Sequence, residues 1–198
     1  KVFESIAVLA TSWIVIDSIM PGLGLMFAVL IVGLRIAFKE NIWLKNLASV
    51  FAVAGAGALI GVSLGVIPVL LFISILSLYD IIAVFWTKHM VKMAKAIVSQ
   101  NLAFTFTIPT RERAFQLGTG DLVIPLVFCI AVFSAASVQP LLVALLPVSM
   151  VLFASILGLI ATMHLCAEKK IALPALPLQT AYMISIWAFC FLIGMPVL

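Results

Sequence analysis

The sequence predicts an all-α polytopic membrane protein, one membrane domain over residues 1–198 with seven visible transmembrane helices. Three observations predict it. Hydrophobic residues make up 66% of the chain and charged residues only 9%, too little polar side chain to clothe a soluble domain of 198 residues. The mean hydropathy is +1.37, and the apolar residues fall in runs long enough for helices rather than barrel strands. All eleven Lys and Arg residues gather at alternate ends of those runs.

The runs extend from Val2 to Met20, Gly22 to Phe38, Leu47 to Gly65, Ile67 to Thr87, Thr119 to Val138, Leu141 to Leu165 and Pro174 to Pro196. Pro21-Gly22, the turn from Gly65 to Pro68, and Gln139-Pro140 are hinges short enough to make antiparallel neighbours. In the third run Gly57, Gly61 and Gly65 recur every four residues, a face for close helix packing. Cys129, Cys166 and Cys190 are widely spaced in apolar sequence and read as small hydrophobes. The chain begins at Lys1 without a Met or a signal-peptide n-region, so further sequence is expected upstream.

The basic residues Lys1, Arg35, Lys39, Lys45, Lys88, Lys92, Lys95, Arg111, Arg113, Lys169 and Lys170 belong to the N-terminus and to the loops after runs two, four and six. The three hinges hold none. By the positive-inside pattern these basic loops, including the long connection of about residues 88–118, are cytoplasmic. Trp43 and Trp86 fall at the same level, as interfacial anchors do. Lys88 to Lys95 reads as a continuation of the fourth helix. Leu102 to Ile108 alternates apolar residues and Thr, a β-prone pattern ended by Pro109. It suits either strand pairing with an unwound peptide or an amphipathic loop on the membrane surface.

Of seven acidic residues, Glu4, Glu40, Glu112 and Glu168 lie on the basic side and read as solvated charges. Asp17 lies within a turn of a hinge and reads as interfacial. Asp80 and Asp121 differ, because an ionisable group inside a span is costly and faces a partner or a water-filled cavity. Counted from Pro68, Asp80 lies roughly 18 Å in, about 12 Å from the basic side of a core roughly 30 Å thick. If the fifth helix begins near Ala114, Asp121 lies about 10 Å deep from that same side. Two carboxyls at one depth on consecutive antiparallel helices suit a dyad that shares a proton. Its charged member takes a proton from water, its protonated member hydrogen-bonds an amide carbonyl, and no metal or cofactor is needed.

Asp121 stands in Gly118-Thr119-Gly120-Asp121, whose glycines free the backbone to bend and let a substrate come close. The last run opens on Pro174-Ala175-Leu176-Pro177. These prolines either mark an ordinary helix start or leave backbone amides and carbonyls open to something other than their own helix.

Tyr79-Asp80 in the fourth run, Gly-x-Gly-Asp at the fifth and Pro-Ala-Leu at the seventh resemble, in that order, the presenilin and signal peptide peptidase family of intramembrane aspartyl proteases. The compactness resembles its microbial members. The resemblance implies Asp80 and Asp121 as the catalytic pair, with Tyr79, Gly118, Thr119 and Gly120 shaping the site. It implies Pro174, Ala175 and Leu176 as the substrate-contacting motif, and transmembrane peptides in the lipid bilayer as substrates. It also implies a nine-helix fold, which would place two further spans before Lys1. Thr119 stands where presenilins typically have Leu. The connection between the catalytic spans lacks the long cleavable loop of presenilins, so activity without self-processing is expected. The orientation derived above matches presenilins and is opposite to signal peptide peptidases.

The alternative is a secondary transporter coupling protons or cations through the same aspartates. It calls for inverted repeats, of which no matching halves are found. A prepilin-type peptidase also uses a Gly-x-Gly-Asp aspartate but usually carries a Lys soon after it, where this chain has Leu122-Val123-Ile124-Pro125. A purely structural role would make the aspartates helix–helix glue. His89 and His164 read as interfacial, without a third ligand to hold a metal. Arg111, Glu112 and Arg113 read as headgroup or solvent contacts, and nothing points to nucleic acid.

Overall fold

Among the described residues, seven helices form at the places the apolar runs predict, and one two-stranded antiparallel sheet forms between the fourth and fifth of them. The structure, a computed structural model, describes residues 2–38, 41–85, 105–109, 114–169 and 174–198. The order is α1 (Val2–Ile19), α2 (Gly24–Ala37), α3 (Ile42–Ser63), α4 (Val66–Phe85), β1 (Thr105–Pro109), β2 (Ala114–Gly118), α5 (Gly120–Ala135), α6 (Leu141–Lys169) and α7 (Ala175–Leu192).

Among the described residues five helices, α1, α3, α4, α6 and α7, are long and apolar enough to cross a membrane. The other two of the seven expected spans are shorter apolar helices. Helices α2 and α5 have 14 and 16 residues, about 21 and 24 Å against a hydrocarbon core of about 30 Å. The turn at residues 20–23 shortens α2, while β2 and the turn at residues 136–139 shorten α5. Helix α3 starts five residues earlier than the hydropathy suggests. Asn41 Oδ1 accepts the N–H groups of Trp43 and Leu44 at 3.0 and 3.4 Å, an N-cap on its first turn.

The chain divides into two compact units, residues 1–59 with 101–123, and residues 60–100 with 124–198. In the first, α1 and α2 form a hairpin. Gly22 turns it with φ +85°, a conformation open to glycine, and donates its N–H to Asp17 Oδ1 at 3.0 Å. Asp17 is thus the acceptor that closes the hinge. Val8, Ile16, Ile31, Val32 and Ala48 make the core. The hairpin also overturns one expectation. Glu4, read as solvated, is 7% exposed and ion-paired with Arg35. The antiparallel pairing sets the first turn of α1 beside the last turn of α2, which sequence distance conceals. Lys45 is buried as well.

Strand β1 pairs with β2 from Thr105–Gly118 to Pro109–Ala114. Thr105 to Ile108 of the β-prone stretch therefore do form a strand, but Ala114 opens its partner and not the fifth helix. The depth of 10 Å derived for Asp121 falls with that start.

In the second unit α7 packs along α6 and against α4. Val69, Ile73, Val127, Phe128, Val132, Val151 and Met183 form its buried interior. Large apolar side chains such as Leu71, Ile75, Leu142 and Phe153 face outward, as on helices surrounded by lipid. A Cβ at Gly61 would lie 2.7 Å from Ile130 Cβ and 2.8 Å from the Val127 carbonyl oxygen. Small residues let membrane helices approach in this way. Of the three glycines expected on this face, Gly61 makes a tight contact and Gly65 lies beyond α3. Gly61→Val is expected to cost about 1–3 kcal/mol through overpacking, read as a lowered unfolding midpoint in detergent. Helix α7 ends in a Schellman turn, with Gly194 at φ +81° and Met195 N–H donating to the Cys190 carbonyl at 3.0 Å. Cys129 and Cys190 are buried and Cys166 is half-buried, all three as free thiols.

Candidate active site

Asp80 lies on α4 about 21 Å along the axis from Val66, in a helix of otherwise uncharged residues. It is 4% exposed, whereas its neighbour Tyr79 is 64% exposed. Successive helix positions point about 100° apart, so the tyrosine of the Tyr-Asp pair turns away from the carboxyl that its neighbour buries. A carboxyl at such a position needs a donor. The backbone N–H of Leu176 lies near enough to act on the Asp80 carboxyl.

That donor is available because of how α7 begins. Pro174 is the N-cap, with φ −67° and ψ 131°, and the helix runs from Ala175. The first four N–H groups of a helix have no partner within it. Pro177, third in the helix, gives up an N–H that would have been spare, so it interrupts nothing. Leu176, second in the helix and 7% exposed, keeps its N–H, which stands near the Asp80 carboxyl. The two readings of the prolines are therefore compatible: the start is regular, and one of its spare amides stands near a carboxyl on another helix. Pro174 and Ala175 are half-buried beside it.

Asp121 stands in the first unit, second in α5, where the N-terminal end of the helix dipole favours a carboxylate. It is half-buried. Thr119 begins the helix, its carbonyl accepting the N–H groups of Leu122 and Val123 at 3.1 and 2.9 Å. Thr is a favoured residue at that position, and it is 8% exposed. The glycines act through space rather than backbone freedom, since neither has a left-handed φ. A Cβ at Gly118 would stand 3.5 Å from Asp121 Oδ2, and one at Gly120 would meet nothing within 4 Å. Glycine at 118 therefore sets no side chain of its own against that oxygen.

Other predicted residues take ordinary surface positions or lie outside the described residues. His164 and Glu168 pair at 3.8 Å on the exposed end of α6. Trp43 is 79% exposed at the start of α3, as an anchor would be. Trp86, Lys88 to Lys95, His89, Leu102 to Phe104, Glu40 and Arg111 to Arg113 lie outside the described residues. Among the described residues no group of three His, Cys, Asp or Glu side chains could hold a metal ion.

The family model for signal-peptide peptidase, presenilin aspartyl protease matches residues 2–113, more than half the chain. The chain belongs to this family. The matched region includes Tyr79-Asp80 and stops short of Gly118-Thr119-Gly120-Asp121. A solved presenilin family intramembrane aspartate protease shares the fold, with a TM-score of 0.64 over 98% of this chain and 72% of that one, at 21% identity. No curated protein matches. This family member is thus a multi-pass membrane protein of presenilin-like fold, and the sequence motifs named its family correctly.

Sequence reasoning missed two polar residues near Asp80's donor. Gln179 on α7 and Ser155 on α6 are 2% and 3% exposed and hydrogen-bond to each other. A glutamine and a serine in apolar helices were the available signal.

Proposed function

We propose that this protein hydrolyses peptide bonds within the transmembrane segments of single-span substrates, with Asp80 and Asp121 acting on one water molecule. The observation that carries the reading is Asp80. A buried carboxyl in an apolar helix, near the amide of Leu176 at a Pro-Ala-Leu helix start, is an expensive arrangement for structure alone.

In the proposed reaction one carboxylate takes a proton from the water as its oxygen attacks the scissile carbonyl. The other, protonated, donates to the carbonyl oxygen. Collapse of the tetrahedral intermediate breaks the C–N bond, and a proton from the dyad goes to the leaving nitrogen. Each carboxyl ends ready for another cycle, and no cofactor enters. The absence of a side chain at Gly118 gives the substrate backbone room beside Asp121. Positive-inside charge supports placing the loop between the catalytic spans in the cytoplasm.

A helical substrate hides its carbonyls in its own hydrogen bonds, so it has to unwind. Strands β1 and β2 form a sheet of two, and an extended peptide can add to such an edge. In this reading the hairpin and the Pro174 to Pro177 backbone hold the unwound segment. Phe106→Pro removes an N–H from β1, either from the ladder with β2 or from the outer edge. Turnover is expected to fall roughly fivefold to tenfold, and unchanged turnover would take the hairpin out of the mechanism.

The decisive assay uses purified protein and a single-span substrate, with products read by mass spectrometry in wild type, Asp80→Asn and Asp121→Asn. Proton-driven uptake into liposomes, lost in the same variants and without peptide products, would assign the aspartates to transport.

A further inference from the structure

The Gln179–Ser155 pair is an odd feature for a helix interface. Gln179 Nε2 donates to Ser155 Oγ at 2.9 Å, yet Gln179 Oε1 is buried without a hydrogen-bond partner. A half-satisfied buried amide serves stability less well than an apolar side chain of the same length. Stability therefore gives no reason for a glutamine here.

Its location does. A Cβ at Gly158 would lie 2.6 Å from Gln179 Cα and 3.1 Å from Gln179 N. The backbones of α6 and α7 therefore meet at this level. The Gln179–Ser155 hydrogen bond then fixes how far α7 is rotated and displaced along α6, which apolar contacts alone allow to slide. Three residues before Gln179, one helical turn back, Leu176 stands where α7 packs against α4, with its backbone N–H near the Asp80 carboxyl. A rotation of α7 at Gln179 is carried by the rigid helix straight to that N–H.

We infer that Gln179, through its hydrogen bond to Ser155, is a positioning residue that sets the first turn of α7 so that the Leu176 amide holds the Asp80 carboxyl. This rests on the reading of Asp80 as catalytic. The pair acts through α7 and touches neither substrate nor water.

The test compares wild type, Gln179→Met, Ser155→Ala, the double variant and Asp80→Asn, measuring unfolding midpoint, kcat and KM on one single-span substrate. Gln179→Met is expected to fold with an unchanged or higher midpoint. Its kcat is expected to fall about tenfold, the scale of a small misplacement remote from the chemistry, with KM unchanged within twofold. Ser155→Ala is expected to do the same, and the double variant to be no slower than the slower single, since one bond is lost in each. A folded Gln179→Met with kcat near wild type overturns the inference, as does a change confined to KM or fully additive losses. If Gln179→Met fails to fold, the kcat of Ser155→Ala decides alone by the same criterion. Cleavage retained by Asp80→Asn would overturn the catalytic reading itself. An inactive Asp80→Asn beside a fully active Gln179→Met would remove only the positioning role.

Discussion

Asp80→Asn and Asp121→Asn are each expected to reduce cleavage of a single-span substrate by a hundredfold to ten-thousandfold, the span that a lost general acid or base covers. The amide matches the carboxyl in shape but neither takes nor releases a proton in the working pH range. The fold is expected to survive both changes. At position 80 an asparagine oxygen still faces the Leu176 N–H that stands near the carboxyl now. At position 121, in the first turn of α5, asparagine gives up only the favourable interaction with the helix dipole, about 0.3–1 kcal/mol. Unfolding midpoints near that of wild type, with no peptide product, are therefore the expected pair of results. Cleavage retained by either variant would sink the dyad, because neither carboxyl can do both proton transfers alone.

This prediction asks the same of two residues whose surroundings differ. Asp80 is deeply buried and sits far along its helix. Asp121 is half-buried at a helix start, near a glycine that sets no side chain against it.

The site was legible where chemistry is carried by residue type and lost where it is carried by tertiary pairing. An aspartate in an apolar run is conspicuous whatever the fold, and so are prolines at a helix start. Asp80 and the Pro174 to Pro177 opening could therefore be found in the sequence and assigned to one neighbourhood. The five residues Ala114 to Gly118 could not be told from the start of a helix, because so short a run has no resolvable period. Their partner in β1 decides their conformation. Glu4 looked solvated because its partner Arg35 is 31 residues away, brought near only when α1 and α2 fold into a hairpin. Thr119 was opaque for another reason. Its role is to begin α5, a matter of backbone hydrogen bonds that a motif of side chains does not display.

Leu176→Pro is expected to lower turnover a further tenfold to hundredfold beyond Leu176→Ala, and that difference isolates one backbone donor. Both variants lose the buried leucine side chain and share its packing cost, but only proline loses the N–H near Asp80. Proline at this position breaks no helical hydrogen bond, because the N–H of the second helical residue has no acceptor within the helix. Nor does the turn exclude it. Leu176 is already helical immediately ahead of Pro177, so this turn tolerates the restriction that proline places on its predecessor. A hydrogen bond to a charged group is worth about 1.5–3 kcal/mol, which sets the size of the expected difference. Without the donor the Asp80 carboxyl is left buried with freedom to rotate away from the water it would activate in the proposed reaction. Equal turnover in Leu176→Pro and Leu176→Ala would show that the leucine side chain, and not its amide, is what Pro-Ala-Leu contributes.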